Sequence, residues 1–447
     1  MASPSQPGSN ALGFPDPRPR SDALEGGRTG VTMTETVVSR GEWAAHWPVP
    51  VVSAAGMAVS MLPLYSLGAL IPSIQHATHW TRGQISFGPT ILSIGAVLLA
   101  PLVGGAIDRF GARRVALPGL ALFCLAVGGV SLSGGSVATW WLAWTLMALT
   151  DVLIKTTVWT TAVVGLFERT RGLAIGVALS GTGIATTCLP YLATVLQESF
   201  GWRGTYAILA AGAAALSLPL VWLWFYDAGD RPRKDAGRRE PAHTSGMSLG
   251  PALRSRRFLQ LALVCLLSST CSIGLIVHFV PILKDGGMTA RAAAEVAGVI
   301  GISTMAGRLL GGLLLDRFSA CLIGFSACAI SALACPLLMV DHSLAGAITA
   351  AALIGGSGGS EIGVIAYLVP RHFGLRHFGT LFSVMSALLT VGAGVGPWLA
   401  GYSFDRFASY DQALLVAGPL FALCAILLAT LGAPAPLAEP ALTAAAR

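Results

Sequence analysis

Residues 104–110 read Gly-Gly-Ala-Ile-Asp-Arg-Phe, and residues 311–318 read Gly-Gly-Leu-Leu-Leu-Asp-Arg-Phe. The aspartates of these two stretches are 208 residues apart, and a second pair, Pro190 and Pro397, is separated by nearly the same interval. Two features that recur at one offset predict an internal duplication, in which each copy forms one structural repeat.

Long apolar runs surround both stretches, and charged or Gly- and Pro-rich clusters separate these runs. A helix that crosses a membrane needs about 20 mostly apolar residues. The runs predict an all-α membrane protein with about 12 transmembrane helices, arranged as two pseudo-symmetric six-helix bundles. The approximate limits of the spans are 48–74, 86–107, 114–134, 138–166, 172–197, 204–226, 258–283, 291–315, 319–340, 343–369, 377–403 and 410–432.

The composition supports a membrane location. Of the 447 residues, 54% are hydrophobic and 11% are charged, whereas a soluble domain carries roughly 25% charged residues. All eight cysteines lie in apolar runs and no two are spaced Cys-x-x-Cys, so neither a disulfide framework nor a metal site is predicted.

Polar segments divide the chain into five predicted regions. The regions are a disordered cytoplasmic N-terminal tail (1–47), an N-terminal bundle (48–226), a cytoplasmic basic linker (227–257), a C-terminal bundle (258–432) and a cytoplasmic C-terminal tail (433–447).

The N-terminal tail contains a second methionine, Met33. If translation begins at Met33, residues 1–32 are not part of the protein.

The distribution of Lys and Arg predicts the orientation. With the N-terminus inside, the inner segments hold 21 of the 28 Lys and Arg residues and the outer loops hold five. Because basic residues favour the cytoplasmic side, we predict a multi-pass protein of the bacterial inner membrane with both termini cytoplasmic. The net charge of +7 then faces anionic lipid, and no nucleic-acid partner is predicted.

Two motifs resemble those of the major facilitator superfamily. Residues 104–114, Gly-Gly-Ala-Ile-Asp-Arg-Phe-Gly-Ala-Arg-Arg, resemble its signature in the loop between spans two and three, and residues 307–317, Gly-Arg-Leu-Leu-Gly-Gly-Leu-Leu-Leu-Asp-Arg, resemble the weaker copy. The resemblance covers about residues 45–435. It implies alternating access, in which two bundles rock about a central site lined chiefly by spans one, four, seven and ten.

Three further stretches resemble the bacterial monocarboxylate-porter-like branch, which includes oxalate/formate exchanger relatives. They are residues 167–176 (Phe-Glu-Arg-Thr-Arg-Gly-Leu-Ala-Ile-Gly), 180–183 (Ser-Gly-Thr-Gly) and 361–374 (Glu-Ile-Gly-Val-Ile-Ala-Tyr-Leu-Val-Pro-Arg-His-Phe-Gly).

Charged residues inside predicted spans are the first candidates for function, since each costs roughly 2.5–3.5 kcal/mol at the centre of a membrane helix. Asp151 and Lys155 share a face of span four because they are four residues apart. Glu361 occupies the equivalent level of span ten. We predict that these three groups meet in a central cavity, with Asp151 or Glu361 carrying a proton and Lys155 contacting the substrate. The alternative is a permanent Asp151–Lys155 pair.

Arg308, on span eight, is predicted to bind the substrate carboxylate. The resemblance places an arginine there, and a guanidinium binds carboxylate with two parallel hydrogen bonds. The alternative is a bridge from Arg308 to Glu361. Two departures from the eukaryotic relatives are Thr304, which replaces an acidic residue, and the absence of lysine from the first span.

The remaining predicted substrate contacts are Tyr65 and Tyr367, for which a packing role is an equal alternative. The eleventh span, 377–403, contains no Lys or Arg, so the two-cation dicarboxylate clamp of oxalate exchangers is not supported. A substrate with a single carboxylate and an apolar or aromatic body is favoured. His278, near the outer end of span seven, is predicted to lie at the membrane interface.

A gate is predicted at the cytoplasmic ends of the repeats, where a carboxylate can cap the positive end of a helix in the opposite bundle. Simple orientation of the spans by charge is the alternative. The gate residues are Asp108, Arg109, Arg113, Arg114, Asp316 and Arg317.

The preferred function is secondary transport of a small organic monocarboxylate with a proton, by a monomer in the lipid bilayer. The alternatives are efflux of a drug or metabolite, anion exchange, and a non-transporting receptor. The sequence has no His-Glu-x-x-His motif, no nucleophile–base constellation and no Walker motif, so neither enzyme activity nor a cofactor is predicted.

Overall fold

The computed structural model describes residues 41–167, 170–227, 247–315, 317–374 and 377–432. Its long elements within these ranges are all helices, which confirms the predicted all-α class. The tail 433–447, most of the tail 1–47 and most of the linker 227–257 lie outside the described residues, as does Asp316. Residues up to Trp47 form one unit, and the residues from Pro48 onward form another, which holds all the spans.

Most helices of the first half match the predicted apolar runs. They are α1 (Pro48–Ser60), α2 (Leu62–Thr78), α3 (Arg82–Ser86), α4 (Gly88–Phe110), α5 (Ala112–Gly129), α6 (Val137–Asp151), α7 (Thr156–Leu166) and α8 (Arg171–Trp224), with short 3-10 turns at Val130–Leu132 and Val152–Ile154.

The second half continues the series. Its helices are α9 (Leu249–Arg254), α10 (Arg256–Asp285), α11 (Ala290–Leu315), α12 (Ala320–Val340), α13 (Leu344–Phe373), α14 (Phe378–Phe407) and α15 (Asp411–Ala429).

The predicted number of spans agrees with these helices. Ten helical stretches of the described ranges are long and apolar enough to cross a membrane. One of them lies within α8 and comprises two spans, because Gly201 adopts φ +65°, a value that residues with a Cβ rarely adopt. Helix α4, with 23 residues, also exceeds the length that a crossing needs. The result is twelve spans, six in each half.

The two halves meet along two equivalent pairs of helices. Helix α8 packs against α11, and α14 packs against α4. The approach is close at Gly301 of α11, where an added Cβ would overlap Thr187 of α8. Since α4 and α11 are repeat mates, as are α14 and the first part of α8, each contact is the copy of the other. This equivalence confirms the predicted pseudo-symmetry.

Candidate functional site

The fourth span is broken at the charged pair. Helix α6 ends at Asp151 and α7 begins at Thr156, while Lys155 between them has an extended backbone (φ −64°, ψ 163°). The sequence predicted an uninterrupted span here. A break frees carbonyl and N–H groups that a continuous helix would pair. The indole of Trp159 donates to the carbonyl oxygen of Ile154 at 2.7 Å, so this side chain satisfies one of the freed groups.

Asp151 and Lys155 form the predicted ion pair. Lys155 Nζ lies 2.5 Å from Asp151 Oδ2, and the side chains are 31% and 1% exposed respectively. No hydrogen bond from the rest of the described chain reaches the Asp151 carboxylate. The charge of Asp151 therefore depends on Lys155, because an unpaired buried charge is strongly destabilising. The Lys155 ammonium is the more exposed group, so it is the one that can move away from its partner Asp151.

Arg308 spans the interface between the bundles. It lies on α11, and its Nη1 donates to the carbonyl oxygen of Leu179 at 3.0 Å and to Thr182 Oγ1 at 2.7 Å, both on α8. Within the described ranges, no carboxylate pairs with Arg308. The alternative bridge to Glu361 is therefore not observed. Because a guanidinium has five N–H donors, Arg308 retains donors for a ligand.

Glu361 lies elsewhere than predicted. It accepts a hydrogen bond from Ser268 of α10 and lines a cavity of about 30 Å³ inside the second bundle. The expected meeting with Lys155 is not seen among the described contacts. The reason is helical geometry: Gly359 packs on α11, where an added Cβ would overlap Thr304, and a residue two positions later points about 200° away.

The two predicted tyrosines have different surroundings. Tyr65 borders a cavity of about 10 Å³ between the halves, lined also by Thr186 and Ile300, and a space of this size holds at most one water. Tyr367 packs beside an apolar cluster of the second bundle, with the guanidinium of Arg371 4.4 Å from its ring centre. The surroundings of Tyr367 favour its packing alternative, and both substrate roles remain predictions.

A polar network that the sequence did not predict lies at one face of the molecule and is centred on Arg82 of α3. The Arg82 side chain is 8% exposed, and its Nη1 lies 2.7 Å from Asp285 Oδ2. The same atom donates to the Tyr410 hydroxyl at 2.9 Å, and the guanidinium lies 3.6 Å from the centre of the Phe404 ring. Asp405 accepts bonds from the backbone N–H groups of Arg82 and its neighbour, at 2.8 and 2.7 Å. Arg82 thus joins the first half to the ends of α10, α14 and α15.

The Arg82 guanidinium remains charged over a wide pH range. Burial alone would lower the pKa of Arg82, but the bonds to Asp285 and Tyr410 outweigh burial, so the pKa is raised. Burial also raises the pKa of Tyr410, which keeps its hydroxyl neutral. We call the face that carries this network the Arg82 face.

His278 belongs to the same network, near the Arg82 face, and its interfacial location stays a prediction. The side chain is fully buried. Its ring nitrogens lie 2.7 Å from the Tyr410 hydroxyl, 3.1 Å from Ser86 Oγ and 2.9 Å from the Pro397 carbonyl oxygen. Ser86 belongs to the first half and the other two to the second, so His278 adds a further link between the halves.

The predicted gate residues whose side chains the structure describes lie at the opposite face. The Asp108 side chain and the whole of Asp316 are outside the described residues. Arg113 donates to the carbonyl oxygen of Trp222 at 2.6 Å, within its own half, and the Arg109 guanidinium lies 5.2 Å from the ring centre of its neighbour Phe110. Arg114 and Arg317 are exposed. Their gating role therefore remains a prediction.

Two matched six-helix halves, with the Arg308 cation at their interface and one face closed by polar links, are typical of a membrane transporter built from two repeated bundles. The chain belongs to the Major Facilitator Superfamily, whose sequence profile matches residues 53–388. This match confirms the predicted resemblance. Because the family and the relatives below are transporters, the prediction that the chain is not an enzyme is also confirmed.

The individual relatives agree with this assignment. Human "Monocarboxylate transporter 11" is 29% identical over 83% of this chain and 80% of its own length. The "Uncharacterized MFS-type transporter YhjX" of Escherichia coli is 25% identical over 70% of this chain and 76% of its own length. Among solved structures, a bacterial homologue of the human lysosomal transporter Spinster has a TM-score of 0.64 at 16% identity, covering 86% of this chain and 93% of that one. The last similarity concerns the fold alone.

Proposed function

We propose that this protein moves a small organic monocarboxylate together with a proton, as a monomer in the bacterial inner membrane with both termini cytoplasmic. The observation that carries the proposal is Arg308, a cation within a membrane helix whose described partners, Leu179 O and Thr182 Oγ1, are neutral. A substrate carboxylate supplies the missing negative charge, and the planar guanidinium suits its geometry. The relatives named monocarboxylate transporters support the same substrate class.

The broken fourth span provides the coupling to a proton. A substrate carboxylate near Lys155 attracts the ammonium away from Asp151, which has no other described partner. A buried carboxylate without a partner is costly in its charged form, so Asp151 takes up a proton. The substrate and the proton then travel together. Glu361, the other predicted proton carrier, lines a separate cavity that is considered below.

Alternating access requires that the two faces of the protein open in turn. The Arg82 face is closed by links between the halves, and the rule that basic residues lie inside makes it the outer face. Opening toward the outside requires these links to break. We propose that the residues predicted as a gate then close the cytoplasmic face: Asp108, Arg109, Arg113, Arg114, Asp316 and Arg317.

Transport by purified protein in liposomes tests this proposal. A pH gradient, acidic outside, should drive accumulation of a radiolabelled monocarboxylate, and collapse of the gradient should release it. Arg308→Ala should abolish uptake, whereas Arg308→Lys, which retains the charge but loses the fork, should retain part of it.

Arg291→Ala is the matched control, because Arg291 forms an exposed pair with Glu198 at the Arg82 face and should leave substrate binding intact. Uptake by Arg308→Ala equal to that of the unaltered protein would refute the substrate role. Exchange without net accumulation under a pH gradient would instead identify an anion exchanger.

A further inference from the structure

A polar layer interrupts the apolar interior of the second bundle. The cavity that Glu361 lines touches one apolar cluster at Phe421 and a second cluster at Val264 and Leu428. Hydroxyl groups are costly to bury unless they are paired, so a layer of them between two apolar clusters requires a physical reason. Four serines border the cavity beside Glu361: Ser268, Ser272, Ser331 and Ser357.

The size of the cavity limits its occupant. A volume of about 30 Å³ accommodates one or two particles of the size of water, since one water needs at least about 10–15 Å³ by this measure. An organic carboxylate is too large for this space. The occupant is therefore water or a small ion, and Glu361 does not meet the transported solute here.

The hydroxyl of Ser268 lies between two acceptors. It lies 2.6 Å from the carbonyl oxygen of Val264 and also within hydrogen-bond distance of Glu361. A hydroxyl has a single proton, so it can donate to one of these acceptors but not to both. A neutral hydroxyl does not balance the charge of the Glu361 carboxylate, whereas a cation beside the carboxylate, or a proton on it, does.

Two of the other serines contact each other at the cavity wall. Ser357 donates to the carbonyl oxygen of Leu353 at 2.7 Å and lies 2.5 Å from Ser331, which leaves lone pairs of Ser331 free. No Lys, Arg or His within the described ranges forms an ion pair with Glu361. Oxygen atoms around one unpaired carboxylate are the ligands that hard cations prefer.

We propose that Glu361 and the serine hydroxyls of α10, α12 and α13 form a binding site for one Na⁺ ion. The single carboxylate matches the charge of a monovalent cation, and the two carboxylate oxygens with the four hydroxyls supply up to six ligands. Helix α13 links this site to Arg308, because an added Cβ at Gly359 would lie 2.9 Å from the Arg308 backbone nitrogen. The Na⁺ site itself does not depend on the proposed function. Only the coupling between ion binding and substrate binding at Arg308 rests on it.

Equilibrium binding of radioactive Na⁺ to the purified full-length protein, without substrate, tests the site directly. Saturable binding of one ion per chain is expected, together with a rise in melting temperature in Na⁺ relative to choline. Glu361→Gln should abolish both effects. Ser272→Ala should weaken binding by about 10-fold to 150-fold, as expected for one lost interaction with a charged group.

Ser326→Ala is the matched control, since Ser326 also lies on α12 but donates to its own helix at Ile323 and does not border the cavity. Na⁺ binding that is absent, or that is unchanged in both Glu361→Gln and Ser272→Ala, would overturn the proposal. If Na⁺ binding is absent, the cavity holds water or a proton only. Arg308→Ala should retain Na⁺ binding, so failure of the carboxylate proposal and failure of the ion site are separable.

Discussion

Replacement of Arg82 by alanine should open the Arg82 face. The variant loses the bonds to Asp285 and Tyr410 and the stacking on Phe404, while Asp405 keeps its backbone partners. Hydrogen bonds to charged groups contribute about 1.5–3 kcal/mol each, and a partly exposed cation–π contact contributes about 0.5–1 kcal/mol.

This sum must be reduced, because Asp285 is 40% exposed and solvent screens such pairs. A net loss of about 2–3 kcal/mol is expected, which corresponds to a shift of about 30- to 140-fold toward the state open at this face.

Electron–electron distance measurements between spin labels at Ser136 and His342 would report this shift. Both residues are exposed loop positions, one in each half. In a cysteine-depleted background, Arg82→Ala should increase the population of long distances, and Arg82→Lys should have a smaller effect because lysine retains the charge without the planar fork.

Arg291→Ala is the comparison that decides the interpretation. Arg291 and Glu198 also join the two halves, but they are 56% and 48% exposed, and exposed pairs typically contribute about 0–1 kcal/mol. If Arg82→Ala changes the distances no more than Arg291→Ala, then burial of the Arg82 network does not determine closure and the reasoning fails.

Further measurements address other parts of the structure. Asp151→Asn should reduce uptake driven by a pH gradient by at least about tenfold, a change of only ~1.4 kcal/mol, but preserve exchange of labelled for unlabelled substrate; retained gradient-driven uptake would contradict its proton role. His278→Leu should lower the free energy of unfolding by about 1–3 kcal/mol for each buried partner left unpaired, measured by denaturant titration with His278→Gln as the milder variant. Gly301→Leu should impair transport by separating α8 and α11, whereas Gly312→Leu, where an added Cβ meets nothing within 4 Å, should not. Closure of the Arg82 face should be constant from about pH 7 to pH 10, because the pKa of Arg82 is raised in the folded protein: its stabilisation is fully present below the unfolded pKa and is lost only as the pH rises through the folded pKa.

Composition and repeat spacing were sufficient to predict the membrane helices and the duplication, because both depend on local hydrophobicity and on a fixed offset. The Asp151–Lys155 pair was also predictable from its spacing of four residues, although the two residues do not share one continuous helix. The break beside Lys155 was not. The bond from Trp159 to Ile154, five residues earlier, accompanies the break, but the run of apolar residues in this span does not distinguish a broken helix from a continuous one.

The position of Glu361 shows a second limit. The repeat offset predicts a level in the tenth span but not the face of the helix on which Glu361 lies, and that face is set by packing of Gly359 on α11. For Arg82, the sequence predicts only that it is one of the five basic residues in the outer loops. The Thr81–Gln84 capping box that begins α3 indicates that this loop is structured. It does not reveal the partners of Arg82, because Asp285 and Asp405 are more than 200 residues away along the chain.

The two copies of the ancestral unit have diverged at one matching position. In the first copy the helix is broken beside an ion pair, whereas in the second the equivalent helix α13 runs without interruption past Glu361. A broken helix can pivot and an intact one can only tilt or slide as a rod. After duplication, the two copies have therefore come to differ in how this helix can move. Identical substitutions at corresponding sites of the two copies should have unequal effects on the transport cycle.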